Sequence, residues 1–139
     1  MNTHQIEEEL EEVKSFVGCF PIDLLPSNLK KPYCLVSNTD PANEGGEHWI
    51  AIRINKTHGE YFDSFGFPPL HPLHVEYMNE NCPVWYYNSR QLQNFSSKMC
   101  GQFSISFLRN RSRNISFNDF VSKFSNDLKN NDNKVSLKH

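Results

Sequence analysis

Glycine, cysteine and net charge are all in short supply in this chain: six glycines and four cysteines among 139 residues, with a formal charge of −2. No apolar run approaches the roughly 18 residues that a membrane-spanning helix needs, so no membrane segment is expected. The cysteines (Cys19, Cys34, Cys82, Cys100) are widely spaced, and none forms a CxxC pair. That spacing argues against a structural zinc site, and no metal is expected. Near-balanced charge argues against a strong general field for nucleic acid or membrane surfaces. The N-terminal region is acidic rather than basic and then apolar, so a secretory leader is not read from it. The sequons at Asn55, Asn94 and Asn114 are then chance matches in an asparagine-rich chain, and an intracellular, reduced setting is expected.

What the chain does have is bulk. Eleven Phe, five Tyr and two Trp can fill the core of one domain, placed at residues 1–129, with 130–139 expected to be a disordered polar tail. Residues 4–17 read as an amphipathic helix with Ile6, Leu10, Val13 and Val17 on one stripe, stopped at Gly18. Tyr33 to Val36 reads as a strand, and Asn38 to Gly46 as a loop. His48 to Ile54 alternates, with His48, Ile50, Ile52 and Ile54 on one face and Trp49, Ala51 and Arg53 on the other. A turn ending at Gly59 leads to a strand at Glu60–Asp63, which makes an antiparallel hairpin whose register the pattern leaves open. A short helix is expected at 73–80 and a strand at Pro83–Asn88, while Cys100 to Leu108 is ambiguous: Phe103, Ile105 and Phe107 alternate, yet Phe103/Phe107 and Ser104/Leu108 fit helical spacing. Ser116 and Asp119 have capping-box spacing ahead of an apolar stripe of Phe117, Val121, Phe124 and Leu128. Arg109, Arg111 and Arg113 read either as a solvated helix end favoured by the helix dipole or as a small polyanion patch.

The chemistry-bearing residues are few. A thiol ordinarily titrates near 8.5 and needs help to be a nucleophile at neutral pH; a helix N-terminus and a neighbouring imidazolium supply that help. Cys100-Gly101 would meet both conditions if it opens a helix with His48 across a cleft. Asp63 at the end of its strand could orient the imidazole and stabilise its charged form. Gln93, assigned by spacing against its rivals Gln91 and Gln102, offers an amide donor for an oxyanion alongside the Cys100 N–H. Nucleophile, base, orienter and oxyanion donor together make a parts list for thiol-dependent peptide hydrolysis.

Three blocks carry a resemblance: Gly45-Gly46-Glu47-His48-Trp49, then Phe62-Asp63-Ser64-Phe65-Gly66-Phe67, then Gln93 followed after six residues by Cys100-Gly101. In this order they resemble the adenovirus-type (adenain-like) cysteine proteases, including those of virus-like DNA transposons, in the same clan as the ubiquitin-like-specific proteases. The adenovirus enzymes commonly carry Glu where this chain has Asp63, which in this respect is similar to the wider clan.

The resemblance implies an α+β fold: a small, mainly antiparallel or mixed sheet flanked by helices, papain-like and adenain-like, with the ambiguous Cys100–Leu108 stretch as a helix that starts at Cys100. It also implies a cysteine endopeptidase cutting viral or virus-like structural precursors near Gly-containing sites, in the host cell nucleus or cytoplasm or in the virion. In the ubiquitin-like branch the residue matching Trp49 lines a narrow channel for glycine backbones; a core role is the other reading. Cys82 stands at the spacing of a cysteine that forms a disulfide with a short activating peptide, or else is an unpaired structural thiol. No cofactor is required by the residues themselves, and near-neutral charge argues against DNA as a second activator. The family's long C-terminal part has no full counterpart after Leu108. Two other functions fit the same parts: removal of ubiquitin-like modifiers, as a deubiquitinase or deSUMOylase, and a non-catalytic binding module on the same fold.

Overall fold

The computed structural model describes residues 1–39 and 48–137. Gly45, Gly46 and Glu47, and most of the expected loop from Asn38 to Gly46, lie outside them. The described elements are α1 (Thr3–Glu9), β1 (Phe16–Phe20), β2 (Tyr33–Asn38), β3 (Trp49–Ile54), β4 (Gly59–Phe62), α2 (Pro72–Asn81), β5 (Trp85–Tyr87), α3 (Cys100–Ser112), α4 (Phe117–Ser122) and α5 (Leu128–Val135). The five strands form one sheet in chain order. Its two central pairings, β2 with β3 and β3 with β4, are antiparallel, while the outer pairings of β1 with β2 and β4 with β5 are parallel. The α+β class with a mixed sheet flanked by helices is therefore borne out.

The alternation in β3 separates two cores. Ile50, Ile52 and Ile54 pack with Tyr33, Leu35 and Tyr61 against Tyr77 and Met78 of α2. Trp49 and Ala51 face the other way, into a cluster with Phe62, with Phe103 and Phe107 of α3, and with Phe117 and Phe120 of α4. Within that cluster the Phe62 and Phe107 rings stack at 4.6 Å, and Phe117 meets Phe107 edge-on at 5.1 Å. Burying each such ring contributes about 1.5–3 kcal/mol, so α3 is held to the sheet mainly by aromatic area.

The N-terminal helix is shorter than its apolar stripe suggests. Ile6, Leu10 and Val13 are buried, but α1 ends at Glu9 and Val17 is exposed within β1. Ladder bonds to β2 win over helical continuation here, because Phe16, Val17 and Phe20 suit a strand. Gly18, at φ +135°, lies where the β1–β2 register shifts between Phe16 and Cys19, so it marks a bulge rather than a helix stop. The stripe from Phe117 to Leu128 is likewise two helices. Ser116 caps α4 by accepting from the Asp119 N–H at 3.0 Å, and Asp127 caps α5 by accepting from the Asn130 N–H at 3.3 Å.

The tail expected to be disordered from residue 130 is helical as far as Val135. Asn131 anchors it: wholly buried, it donates to the Leu92 carbonyl at 3.0 Å and the Ser125 carbonyl at 2.8 Å, and accepts from the Ser125 N–H at 2.9 Å. A polar residue satisfied from three sides leaves no apolar pattern to read, which is why the segment looks frayed in sequence.

Arg109 and Arg111 are spent inside the fold rather than on a polyanion patch, which leaves only Arg113 exposed at the helix end. Arg109 pairs with Glu9 at 2.6 Å and Glu12 at 3.1 Å. Arg111 reaches the fully buried Glu60 of β4, at 2.8 Å and 2.9 Å. Glu60 also accepts from Arg53 at 3.1 Å and from Tyr86 at 3.1 Å, and it meets His58 at 3.1 Å. Burial alone would push this carboxyl up; the hydrogen bonds from Arg111 and His58 and the charges of Arg53 and Arg111 bring it down to about 2. Because the folded value is depressed, the stabilisation is present above the ordinary value of 4.5 and is lost as pH falls from there toward 2. Glu60→Gln, which leaves two arginines facing an uncharged amide, is expected to cost on the order of 3 kcal/mol at pH 7. Urea unfolding at pH 7 and pH 3 checks this: the difference between wild type and variant should shrink at the lower pH.

Candidate active site

The β3–β4 hairpin pairs Ala51 with Phe62, Ile52 with Tyr61, Arg53 with Glu60 and Ile54 with Gly59. Carried past the end of the ladder, this register sets His48 opposite Phe65, with Asp63 one diagonal step away. The His48 Nε2–H donates to Asp63 Oδ1 at 2.7 Å, and the Phe65 ring stacks on the imidazole at 4.3 Å with 6° between planes. With Nε2 engaged by the carboxylate, Nδ1 is the nitrogen left to serve a thiol.

Asp63 is held as firmly as it holds. Its Oδ1 also accepts from the Phe65 N–H at 2.8 Å, which closes a tight turn. Asn88, just past β5, clamps the Asp63 backbone on both sides: Oδ1 accepts from the Asp63 N–H at 3.1 Å, and Nδ2 donates to the Asp63 carbonyl at 2.6 Å. The carboxylate therefore cannot drift without breaking a buried side-chain clamp.

Cys100 is the first residue of α3, buried to 5% exposure. No side chain caps this helix start and no acidic residue occupies its first turn, so the positive end of the helix dipole acts on the thiol. The Trp49 N–H donates to Cys100 Sγ at 3.4 Å. Burial alone would raise the thiol; its hydrogen bond with His48, the Trp49 N–H, the imidazolium charge and the Gly101 N–H together lower it. For His48, burial disfavours the charged ring, but the bonds to Asp63 and Cys100 and their negative charges outweigh it and push the imidazole up to about 9. Opposite shifts of this kind favour the ion-paired form of thiol and imidazole over the neutral one.

Gln93 lies on the segment leading to α3 and is fully buried. Its Nε2 donates to the Ser97 carbonyl at 2.9 Å, and its Oε1 accepts from the Ser64 hydroxyl. A carbonyl can only accept, so these partners fix which way the amide points, leaving one N–H of the amide nitrogen free for a further acceptor. Ser64, Asn88 and Phe65 are supporting residues that the sequence pattern did not single out. The nearest signal was a lone Asn closing an aromatic strand.

Trp49 is 6% exposed within the α3-side core, and its indole N–H donates to the Met1 carbonyl at 3.1 Å. This is the environment of a core residue. Cys82 closes α2, 5% exposed, with its thiol donating to the Met78 carbonyl at 3.1 Å. It packs so closely on Gly59 that a Cβ there would collide with Cys82 Sγ. None of the four cysteines is in a disulfide. Among the described residues, no group of three His, Cys, Asp or Glu is placed to hold a metal ion, and no helix is long and apolar enough to cross a membrane.

The acid turn and the amide segment are joined at Gly66, which has φ +83°. A Cβ there would stand 2.7 Å from the backbone of both Arg90 and Gln91. This close approach lets the Ser64 carbonyl accept from the N–H groups of Leu92 at 2.9 Å and Gln93 at 3.0 Å. Gly66→Ala is expected to destabilise the fold by about 1–3 kcal/mol from strain alone. It should also slow modification of Cys100 by a small electrophile, because Asp63 and Gln93 move with the turn. Denaturant titration and timed thiol labelling of the folded variant check the two effects.

No family model matches the chain. A protease of Bovine adenovirus C serotype 10 is 29% identical over 125 residues, covering 73% of this chain and 64% of that protease. The chain thus spans just under two thirds of the length of the curated relative it matches. Among solved structures, an ASFV protease superposes with a TM-score of 0.66 at 21% identity, covering 99% of this chain and 67% of that one. ChlaDub1 from Chlamydia trachomatis superposes with a TM-score of 0.51 at 13% identity, covering 96% and 73%. At such identities the solved structures speak for the fold, while the adenovirus relative speaks for the sequence. Together they bear out what the three blocks indicate: this chain is similar to the adenovirus-type cysteine proteases.

Proposed function

We propose that the chain is a cysteine endopeptidase in which Cys100 is the nucleophile, His48 the acid–base, Asp63 the group that orients it, and Gln93 an oxyanion donor. The observation that carries the reading is the placement of His48, bonded through one nitrogen to Asp63 and acting with the other on a thiol pushed down at a helix start. The Cys100 thiolate attacks the scissile carbonyl carbon. The oxyanion is met by the free N–H of the Gln93 amide and the Cys100 backbone N–H, an interaction of about 2.7–4 kcal/mol per donor in comparable sites. As the C–N bond breaks, the departing nitrogen takes the proton from His48, leaving an acyl-thioester. Water then gives a proton back to His48 as it attacks the thioester carbonyl, and the carboxylic acid and thiolate are released.

Following the resemblance to the adenovirus-type proteases, the proposed substrates are structural precursor polypeptides cut near glycine-containing sites. A short activating peptide acting at Cys82 would first have to open the packing of that thiol against Gly59, so the proposal does not depend on such a partner. Removal of ubiquitin-like modifiers is tested directly by comparing a modifier conjugate with a Gly-containing precursor peptide; faster turnover of the conjugate would replace the precursor reading.

Labelling by a thiol-directed electrophile should be fast near neutral pH, abolished by Cys100→Ala and slowed by His48→Ala. Gln93→Ala should leave labelling intact while lowering peptide hydrolysis by about 10²–10³-fold. The pH profiles should part company above about 9. There His48 loses the proton that the leaving amine needs, so hydrolysis falls while alkylation of the thiolate continues. Labelling that follows an ordinary thiol titration and ignores His48→Ala would favour a non-catalytic binding module.

A further inference from the structure

A cavity of about 420 Å³ opens beside His48 and Asp63, within the range of about 300–1,000 Å³ typical of ligand pockets. Tyr61, Phe65, Phe67, Pro68 and Leu70 make most of its wall, with Thr39 and His71 as polar members, so it is largely apolar. Neither Cys100, Trp49 nor Gln93 lines it. The cavity therefore lies past the imidazole, away from the atoms that would hold the acyl half of a substrate. In a thiol protease the departing amine must leave by way of the imidazole that protonates it, so this cavity flanks the leaving-group half.

The walls are built to stay open. Phe65 is fixed by its stack on His48, and Phe95 meets both Phe65, edge-on at 5.2 Å, and Phe67, stacked at 5.7 Å. Phe67, Leu70 and Phe95 are nevertheless exposed at 39%, 72% and 59%, a set of large apolar side chains at the rim that an occupant would cover. His74, wholly buried, also lines the cavity; Nε2 meets Ser37 Oγ at 3.0 Å, whereas Nδ1 has no hydrogen-bond partner. Burial holds this ring down at about 4, so it stays neutral and compatible with an apolar occupant.

We propose that this cavity receives a large apolar side chain, aromatic or branched, from one of the first two residues after the cleaved bond, and so sets specificity on the leaving-group side. The inference rests on the cysteine endopeptidase reading. The test is a set of fluorogenic peptides sharing one Gly-containing acyl half, with Gly, Asp, Leu or Phe at each of the two positions after the bond. At one of those positions, kcat/KM for Leu or Phe should exceed that for Gly by roughly tenfold or more, with Asp lowest. Phe67→Ala and Leu70→Ala, both at exposed positions, should reduce that ratio to about threefold or less. Val84→Ala, exposed at the far end of β4, should leave it unchanged. A flat series at both positions, or a ratio unmoved by both rim variants, overturns the inference while peptide turnover continues. Absence of any turnover together with slow, His48-independent thiol labelling overturns the endopeptidase reading and this inference with it.

Discussion

Strand β3 is the constraint on which the rest of the molecule depends. It lies between two antiparallel neighbours and is buried on both faces, so its alternation admits one register only: a slip of one residue would exchange Ile50, Ile52 and Ile54 with Trp49 and Ala51 across the sheet. That register places His48 at the strand's beginning, where a side chain can reach from the α2 face toward Cys100 on the α3 face. Asp63 follows from the same pairing. The dyad is thus a by-product of how the two cores divide, which explains why so small a sheet can position it.

Most of what surrounds the dyad is devoted to immobility rather than to chemistry. Asn88 takes the place of a strand neighbour for Asp63, Ser64 and the Ser97 carbonyl fix the amide of Gln93, and Phe65 covers the imidazole. Each of these removes a rotation that would otherwise have to be frozen when a substrate arrives, and pre-organisation of that kind is a large part of electrostatic catalysis. The cost falls on stability: Gly66 forgoes a side chain, and His74 Nδ1 goes without a partner.

How far the sequence could be read depended on whether a residue acts by pattern or by partner. The hairpin and the buried stripe of α1 were legible because each repeats an apolar period, whereas the pattern of α3 fits strand and helix alike and only the resemblance decides it. The end of α1, the break between α4 and α5 and the ordering of residues 130–135 were not, since competing strand pairing and the polar anchor Asn131 decide them. In the site, Cys100, His48 and Asp63 could be picked out by residue type and by the blocks around them. Asn88 and Ser64 work through contacts 25 and 29 residues away in the chain and have no local signature. The arginines of α3 misled for the same reason: their acidic partners come from α1 and β4.

The Glu60 cluster has a consequence for motion. It joins β4, which leads into Asp63, to the far end of the helix that begins with Cys100, so thiol and carboxylate are carried by elements riveted together through a buried charge. Such elements open as one cooperative unit. Fluctuations that fray the termini or the surface helices can pass without separating thiol from imidazole, and the fluctuation that does separate them is close to unfolding the whole domain. The meeting of Cys100 with His48 is in that sense an all-or-none property, kept wherever the fold is kept and lost with it.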